Sequence, residues 1–319
     1  MSDYYLQLKD VKKYFHRPNG WLHAVDGVNF TLDKGKTIGV VGESGCGKST
    51  LGRVISRLID ATDGEIIFDG EDILKYKRKQ LKGLRRKIQM IFQDPFSSLN
   101  ARMTIYNTIS EPMVTQRIFK TRKELESKTL EIMELVGIAE RNVNSYPHEL
   151  DGGRRQRVGI ARALALNPEL IICDEPVSAL DVSIQAQILN LLKRLQQRFG
   201  YTYVFITHDL SVVKHFTQDV LVMYLGQVVE KAPVEDLFSS PRHPYSEALL
   251  SAIPSTDIRE VRERIILKGE LTSPINPKDM CRFADRCAYV TDECRKKCPP
   301  LTDLGEGHLV RCYYPLNTG

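Results

Sequence analysis

The chain has 319 residues, and its 45 Lys and Arg exceed its 40 Asp and Glu, which gives a formal net charge of +5. Hydrophobic residues make up 42% and charged residues 27% of the chain, as in an ordinary globular protein. This composition excludes a collagen-like chain, a disordered polar protein and an acidic tail. The length suffices for roughly two to three domains. The mild basic excess permits an anionic partner without requiring one.

Cysteine usage is uneven along the chain. The apolar runs, such as 220–225, are shorter than the roughly 18 residues of a membrane span, and the first residues lack the features of a secretory signal. We therefore expect a cytosolic protein, in which disulfides are disfavoured. Two of the seven cysteines lie in the first 280 residues and five in the last forty. A metal site is the first interpretation of this tail.

Strands and helices alternate along the chain. Short strands are predicted over 4–8 and 25–32, and a buried strand over 37–41 precedes a glycine-rich turn and a helix from Ser49. Further strands are predicted over 65–68, 88–92, 170–173, 203–207 and 220–229 (with a turn at 226–227), and helices over 120–136, 153–166 and 183–199. This alternation predicts an α/β core with a parallel sheet. We expect a mainly helical insert over 95–155 and a boundary near residue 230.

The turn over 42–49 reads GESGCGKS and fits the pattern G-x-x-x-x-G-K-[ST]. Its glycines let successive N–H groups point at phosphate oxygens, and the dipole of the following helix adds to the attraction. In this pattern Lys48 reaches the β- and γ-phosphates and the Ser49 hydroxyl binds Mg²⁺. A plain glycine turn is the alternative, but the buried strand before it and the helix after it favour the phosphate loop. Cys46 stands at a free position and is interpreted as a small filler.

A pair of acidic residues follows the apolar run 170–173. Asp174 would hold Mg²⁺ through water, and Glu175, which points to the other side of the strand end, could polarise an attacking water. An Asp-Glu pair alone carries little information. The apolar strand before it makes this pair a candidate metal and catalytic site.

In their order, these motifs resemble those of the ATP-binding cassette (ABC) ATPases over about residues 1–235. FQDP at 92–95 resembles the Q-loop, LDGGRRQR at 150–157 the signature motif, SALD at 178–181 the D-loop, and THD at 207–209 the switch histidine. Each could be an ordinary surface or core segment on its own. Their order along the chain favours the resemblance.

The resemblance implies a role for each matching residue. Gln93 would reach Mg²⁺ and the water, His208 would sense the γ-phosphate, and Phe15 by spacing, or else Tyr14, would stack on adenine. The implied ATP-binding residues are Phe15, Gly42, Ser44, Gly45, Cys46, Gly47, Lys48, Ser49, Thr50, Asp151, Gly152, Gly153 and Asp181; those for Mg²⁺ are Ser49, Gln93 and Asp174; the catalytic residues are Lys48, Gln93, Glu175 and His208.

The resemblance also implies the architecture. It predicts a P-loop NTPase (RecA-like) core with an antiparallel β-subdomain and an inserted helical subdomain, followed by a small Cys-rich C-terminal extension. The ABC ATPase domain would span 1–230 and the extension 231–319. Such ATPases work as head-to-tail dimers, in which each ATP lies between the phosphate loop of one subunit and the signature helix of the other. ATP binding closes the dimer and hydrolysis opens it.

The signature departs from the family at one residue. The family motif usually begins Leu-Ser-Gly-Gly, whereas Asp151 stands here in place of the serine. Both residues cap helices well, so the fold should accept the change. A carboxylate ~4 Å from the γ-phosphate would repel it by roughly 4 kcal/mol at an effective dielectric constant of 20. We predict that the composite site using this signature is weak or inactive; if Asp151 turns away, the cost is small.

The C-terminal part of the sequence narrows the resemblance to one subfamily of these ATPases. Stretches between residues 228 and 254 resemble the C-terminal part of the peptide and nickel importer ATPases, most of all the second, F-type, subunit of oligopeptide and dipeptide importers. That resemblance implies an ATPase subunit that powers peptide import through a membrane permease. It would lie in the cytoplasm, peripherally on the inner face of the membrane. The insert from Gln93 to Glu111 would grip a cytoplasmic helix of the permease.

Four thiolates can hold zinc or an iron–sulfur cluster. The spacings here are not the tight pairs typical of structural zinc, and basic residues, including Arg282, Arg286 and Arg295, would offset a negatively charged cluster. In the importer subfamily the matching cysteines are ligands of a 4Fe–4S cluster. The implied ligands are Cys281, Cys287, Cys294 and Cys312, with Cys298 as a fifth candidate. Zinc is the second interpretation and disulfides the third. We expect a structural site, because the tail is too small to bury a core of its own.

Other functions and partners stay open. The partner ATPase would be a second, different subunit or a copy of this chain, with a substrate-binding protein acting indirectly. Nickel is an alternative cargo. A nucleic-acid-acting ABC ATPase is disfavoured, because only about a hundred residues separate Lys48 from Asp151 and they contain no heptads. We therefore expect no nucleic acid partner. A non-catalytic binding module is disfavoured by the intact Lys48, Asp174, Glu175 and His208.

Overall fold

The computed structural model describes residues 4–253, 264–267, 269 and 273–317; Pro254, the last residue of the importer-like stretches, lies outside them. The strands are β1 (Leu6–Arg17), β2 (Gly20–Leu32), β3 (Thr37–Val41), β4 (Asp63–Phe68), β5 (Glu71–Asp72), β6 (Ile88–Ile91), β7 (Leu170–Asp174), β8 (Thr202–Ile206), β9 (Asp219–Tyr224), β10 (Gln227–Pro233), β11 (Thr302–Asp303) and β12 (Leu309–Val310).

The three helices predicted over 120–136, 153–166 and 183–199 are present, with bounds that differ by at most two residues. All α-helices of the described residues are named in chain order. They are α1 (Lys48–Ile55), α2 (Arg78–Lys87), α3 (Pro95–Ser98), α4 (Ile105–Gln116), α5 (Arg122–Leu135), α6 (Gly152–Leu164), α7 (Val182–Phe199), α8 (Leu210–Phe216), α9 (Val234–Ser239), α10 (Pro244–Ser251) and α11 (Asp292–Lys296). Within the described residues, none of these helices combines the length and apolar character needed to cross a membrane.

Contacts divide the chain into two compact units, which are described separately. Unit 1 comprises residues 1–75 and 205–319, and unit 2 comprises residues 76–204. Strand β10 runs across residue 230, where a domain boundary is predicted from the sequence. The assignment of domains 1–230 and 231–319 stays a prediction.

Unit 1 contains an antiparallel sheet of strand order β2-β1-β4-β5 and a second set of strands in the order β11-β12-β10-β9-β3. β1 and β2 are longer than predicted, because they form one hairpin that pairs to its tip, from Leu6 opposite Leu32 to Arg17 opposite Gly20. β3 is buried along its whole length and pairs in parallel with β9, which fits its uninterrupted apolar sequence. The predicted antiparallel strands and parallel pairing are both present in this unit.

The turn between β9 and β10 lies one residue earlier than predicted. Leu225 and Gly226 occupy it, both with positive φ (44° and 85°), as in the tight turns that join antiparallel strands. A Cβ on Gly226 would lie 2.4 Å from the His23 carbonyl oxygen, so a side chain does not fit there. The apolar run alone does not predict the position of the turn, because that position depends on the close approach of Gly226 to His23 in a distant strand.

Unit 2 contains β6, β7 and the first three residues of β8, which neighbours β7, and β6 pairs in parallel with β7. Helices α3, α4, α5 and α6 lie between β6 and β7 in the chain. Thr121 and Glu124 form a capping box at the start of α5, which fixes the beginning of that helix. In α7 the buried residues Ile188, Leu191, Leu192 and Leu195 recur at helical spacing.

The C-terminal tail shares the core of unit 1. Phe283 is 2% exposed and belongs to one apolar cluster with Val41, Tyr224 and Tyr245. Burying a phenylalanine side chain contributes about 1.5–3 kcal/mol. β12 adds to β10 through the pairs Glu230 with Val310 and Lys231 with Leu309. The tail is therefore fastened by apolar packing and strand pairing as well as by any site its cysteines form.

Candidate nucleotide-binding site

The phosphate loop of unit 1 joins the end of β3 to the start of α1. Gly42 and Gly47 have φ of 148° and 109°, and a Cβ on them would lie 2.2 Å from the Met223 oxygen and 2.0 Å from the Ala24 oxygen. Both positions therefore require glycine for conformation and for space. Gly45, with φ of 79°, would have no atom within 4 Å of a Cβ. The middle of the loop is thus open to a ligand.

Lys48 is folded onto the loop. Its Nζ donates to the carbonyl oxygens of Gly42 (2.8 Å) and Glu43 (3.1 Å), and the residue is 4% exposed. Ser49 and Thr50 follow in the first turn of α1. Burial raises the pKa of the Cys46 thiol, which makes it a neutral filler at pH 7, as predicted, and not a nucleophile.

His208 lies in unit 1 with the phosphate loop. The N–H of Thr207 donates to the Val40 carbonyl at 3.1 Å, so the chain passes beside the end of β3 just before His208. Asp209 then caps α8 by accepting from the Ser211 N–H at 2.8 Å. These two contacts fix the backbone on both sides of the exposed His208.

The two candidate adenine-stacking residues differ in their surroundings. Tyr14 donates its hydroxyl to Asp26 and stacks on His23, with ring centroids 3.8 Å apart. Phe15 is half-buried, and the Lys13 Nζ lies 5.0 Å from its ring centroid. Tyr14 is therefore engaged by unit 1 itself on its hydroxyl and on one ring face.

Unit 2 brings the Q-loop glutamine and the acidic pair together. Gln93 Nε2 donates to Glu175 Oε2 at 2.9 Å. The parallel pairing of β6 with β7 explains the contact, because the carboxyl ends of the two strands meet at one edge. Asp174 ends β7 and is 2% exposed. Glu175 has a φ of 46°, a conformation that non-glycine residues adopt rarely and mostly at functional sites.

Asp151 is the N-cap of α6. Its Oδ1 accepts from the Arg154 N–H at 2.7 Å, and its Oδ2 lies 3.4 Å from Arg154 Nε. The carboxylate therefore occupies the positive end of the signature helix, where an anion would otherwise bind. A Cβ on Gly153 would lie 2.7 Å from Ile184 Cγ2, so this glycine is needed for the packing of α6 on α7. Asp181, of the D-loop, immediately precedes α7.

Four of the five tail cysteines line one small cavity in unit 1. They are Cys281, Cys287, Cys294 and Cys312, and aromatic residues, including Phe283 and Tyr289, line it with them. Cys281 also donates its N–H to the Cys294 carbonyl at 2.9 Å. The Sγ of the fifth candidate, Cys298, lies 3.6 Å from Gln227 Oε1 instead.

Burial favours the protonated form of two of the tail thiols, Cys281 and Cys312. Burial raises the pKa of Cys281 to about 12 and that of Cys312 to about 11. All seven cysteines lie in the described part of the chain, and each is a free thiol. Among the described residues, no three His, Cys, Asp or Glu side chains form a group that could hold one metal ion.

The basic residues of the tail differ from expectation. Arg282 contacts Asp26, Arg286 pairs with Glu43 and Arg295 pairs with Asp285. All three arginines therefore pair with carboxylates. Sequence reasoning missed the partners of Arg282 and Arg286, because nothing local links the tail to residues near the start of the chain.

Comparisons with known proteins agree with this geometry. The family described as "ABC transporter" matches residues 25–178, and "Oligopeptide/dipeptide transporter, C-terminal region" matches residues 229–294. The oligopeptide transport ATP-binding protein AppF of Bacillus subtilis (strain 168) is 51% identical, over 97% of this chain and 96% of its own length. The protein OppF of Escherichia coli (strain K12), of the same description, is 50% identical, over 97% and 92%.

The chain belongs to the ATP-binding subunits of the oligopeptide and dipeptide ABC transporter family. The ATP-binding cassette MJ0796, solved as a post-hydrolysis dimer with ADP and Pi, matches this ATP-binding subunit with a TM-score of 0.66 and 32% identity. The match covers 72% of this chain and 98% of that one. The predicted α/β P-loop ABC ATPase fold is confirmed, and the subunit is an ATP hydrolase coupled to transport.

Proposed function

We propose that this subunit powers the import of peptides through a membrane permease. The proposal rests on the match over residues 229–294, because the matched family is described as the C-terminal region of oligopeptide and dipeptide transporters. Relatives named as oligopeptide transport ATP-binding proteins match the chain over nearly its full length. Nickel is the alternative cargo.

The proposed roles follow the matched motifs. Lys48 contacts the β- and γ-phosphates, after it leaves the loop carbonyls that now bind it. Glu175 polarises the attacking water, with its carboxylate oriented by Gln93. His208 senses the γ-phosphate. Phe15 stacks on adenine, a role that the engagement of Tyr14 by Asp26 and His23 supports.

The remaining ATP contacts are proposed from the same motifs. The phosphate loop, from Gly42 through Ser44 and Gly45 to Thr50, would wrap the phosphates, while Asp151, Gly152, Gly153 and Asp181 would face the ATP of the partner. For Mg²⁺ the proposed residues are Ser49, Gln93 and Asp174. Hydroxyl, amide and carboxylate oxygens are the ligands that this ion prefers. When bound, Mg²⁺ supplies charge neutralisation at the β- and γ-phosphates.

The proposed assembly is based on the transporter family to which the chain belongs. The subunit is the F-type member of an ATPase pair, formed with a different ATP-binding subunit or with a copy of itself. The pair sits on the permease at the cytoplasmic face of the membrane, and a substrate-binding protein delivers the peptide from the other side.

An uptake assay tests the cargo. The subunit is reconstituted in vesicles with its permease, its partner ATPase and its binding protein. We expect ATP-dependent uptake of a labelled tripeptide, and no ATP-dependent uptake of ⁶³Ni²⁺. A complex with Lys48→Ala in this subunit controls for leakage and binding. Nickel uptake without peptide uptake, or ATPase activity stimulated by DNA, would contradict the proposal.

We further propose that the tail cysteines hold a 4Fe–4S cluster through Cys281, Cys287, Cys294 and Cys312. Two observations support this set: all four line one cavity, and Cys298 does not. Four thiolates are the usual ligand set of such a cluster. Zinc, which four thiolates can also hold, is the alternative.

The metal content of the purified protein tests this proposal. Protein purified anaerobically should be brown and contain about four irons per chain, as a 4Fe–4S cluster requires. Cys312→Ser should lose most of the iron, whereas the matched variant Cys298→Ser should keep it. A colourless preparation with stoichiometric zinc would contradict the cluster.

A further inference from the structure

Glu43, the second residue of the phosphate loop, is held by the C-terminal tail. Both terminal nitrogens of Arg286 donate to its carboxylate, at 2.6 and 3.0 Å. The two side chains are 10% and 29% exposed, so this two-point ion pair is partly shielded from water. The N–H of Glu43 donates to the hydroxyl of the buried Tyr245 at 2.9 Å. Both the main chain and the side chain of Glu43 are therefore fixed by residues beyond 240.

The position of Glu43 bears on Lys48. The Glu43 carbonyl is one of the two loop oxygens that accept from Lys48 Nζ. A shift of Glu43 would move the carbonyl that holds the ammonium group and change the curvature of the loop before Gly45. Arg286 is therefore linked to Lys48 through one intervening residue, Glu43.

The loop from Cys281 to Cys287 packs against the core of unit 1. Phe283, inside this loop, packs against Tyr224 and Tyr245 with ring centroids 5.3 and 5.5 Å away, and those two tyrosines lie 4.7 Å from each other. The Arg286 guanidinium carbon lies 5.9 Å from the centre of the Tyr224 ring. Such aromatic packing restricts the arginine to the geometry that reaches Glu43.

A second arginine of the same loop fixes the other side of the phosphate loop. Arg282 donates to the Leu225 carbonyl and to Asp26. The next residue of that turn, Gly226, accepts from the Asp26 N–H and donates its own N–H to the Cys46 carbonyl, each at 2.8 Å. Contacts from the tail thus reach the phosphate loop at its second and fifth residues.

We propose that Arg286 and Arg282 are positioning residues of the ATP site, and that the loop from Cys281 to Cys287 holds the phosphate loop in its ATP-binding shape. The inference uses the role proposed above for Lys48, and it does not depend on what the cysteines bind. It makes the tail a part of the nucleotide site and gives the basic residues between the cysteines a function other than charge balance.

The experiment measures ATP affinity and turnover in the full complex. Arg286→Gln should raise the Kd and KM for ATP about tenfold, as expected when a charge-assisted hydrogen bond is lost, and should change kcat less. Arg286→Lys should recover only part of the affinity, because lysine cannot bind a carboxylate at two points. The charge-swapped pair Glu43→Arg with Arg286→Glu should bind ATP better than either single variant. Arg295→Gln, which removes an exposed pair on the same tail, is the matched control and should bind ATP normally.

Three outcomes would overturn the inference. One is an unchanged Kd in Arg286→Gln, and another is an equal loss in Arg295→Gln. The third is a loss of affinity that only follows a loss of iron or of folded protein, so iron content and thermal melting are measured on every variant. A Lys48→Ala variant separates this inference from the proposed function. If Lys48→Ala binds ATP normally, the role of Lys48 is wrong, whatever Arg286→Gln does.

Discussion

Replacing Glu175 with glutamine should lower the steady-state rate of ATP hydrolysis by about 10²–10⁴-fold, the usual contribution of a general base. Glutamine has the same shape and can still accept the hydrogen bond that Gln93 now donates to Glu175 Oε2 at 2.9 Å. It cannot take a proton from water at neutral pH. ATP binding should therefore stay within about threefold of the parent, since the group lost acts in the transition state and not in binding.

Phosphate release by the reconstituted complex measures the rate, and equilibrium binding of ATP measures the affinity. Glu169→Gln is a matched control, because Glu169 stands one residue before β7 at its opposite end and pairs with Lys87 at 3.4 Å. Its turnover should equal that of the parent. If Glu175→Gln keeps more than a tenth of the parental rate, another group is the base.

Replacing Asp151 with serine should raise the ATPase rate of the complex. The Asp151 carboxylate caps α6 through the Arg154 N–H, so its charge sits at the helix N-terminus where the signature of the family meets the γ-phosphate. The unscreened repulsion between this carboxylate and the γ-phosphate is roughly 4 kcal/mol at a separation of ~4 Å and an effective dielectric constant of 20. The Arg154 Nε at 3.4 Å neutralises part of it. We therefore expect a gain of about tenfold at this composite site, since each 1.36 kcal/mol of barrier is a factor of ten.

Asp151→Asn is the informative companion variant. Asparagine keeps the helix cap and removes only the charge. If repulsion limits the site, Asn and Ser should both raise the rate; if the serine hydroxyl itself is needed, only Ser should. Thermal melting should change little in either variant, because all three residues are good N-caps. A complex in which neither variant gains activity would show that Asp151 costs the site nothing.

Local sequence pattern was sufficient for the elements and for part of the site. The apolar runs at 37–41 and 170–173 predicted β3 and β7, since strands buried on both faces leave little choice of residue. The motifs imply that Gln93 and Glu175 both face the attacking water, and the two side chains lie within 2.9 Å of each other. Contacts distant in sequence were not predictable in the same way. The partners of Arg282 and Arg286 lie about 250 residues away, and no periodicity connects them.

The tail shows why composition alone misleads. The arginines lie beside the cysteines in the sequence, so the sequence predicts that they balance the charge of a cysteine-bound cluster. In the structure Arg282 and Arg286 instead form ion pairs with Asp26 and Glu43. Its core was expected to be insufficient, yet Phe283 is buried in a cluster that the rest of unit 1 provides. In both cases the deciding partner comes from a distant part of the chain.

The ion pair between Glu43 and Arg286 also determines when the phosphate loop is completed during synthesis of the chain. The two residues are separated by 243 positions, so at synthesis rates of about 5–20 residues per second the arginine is made roughly 10 to 50 s after the glutamate. During that interval the ribosome-bound chain carries a phosphate loop that lacks its arginine, and for most of it the Tyr245 hydroxyl is missing too. A nascent subunit thus acquires the finished loop only after Arg286 has been made, long after the loop itself.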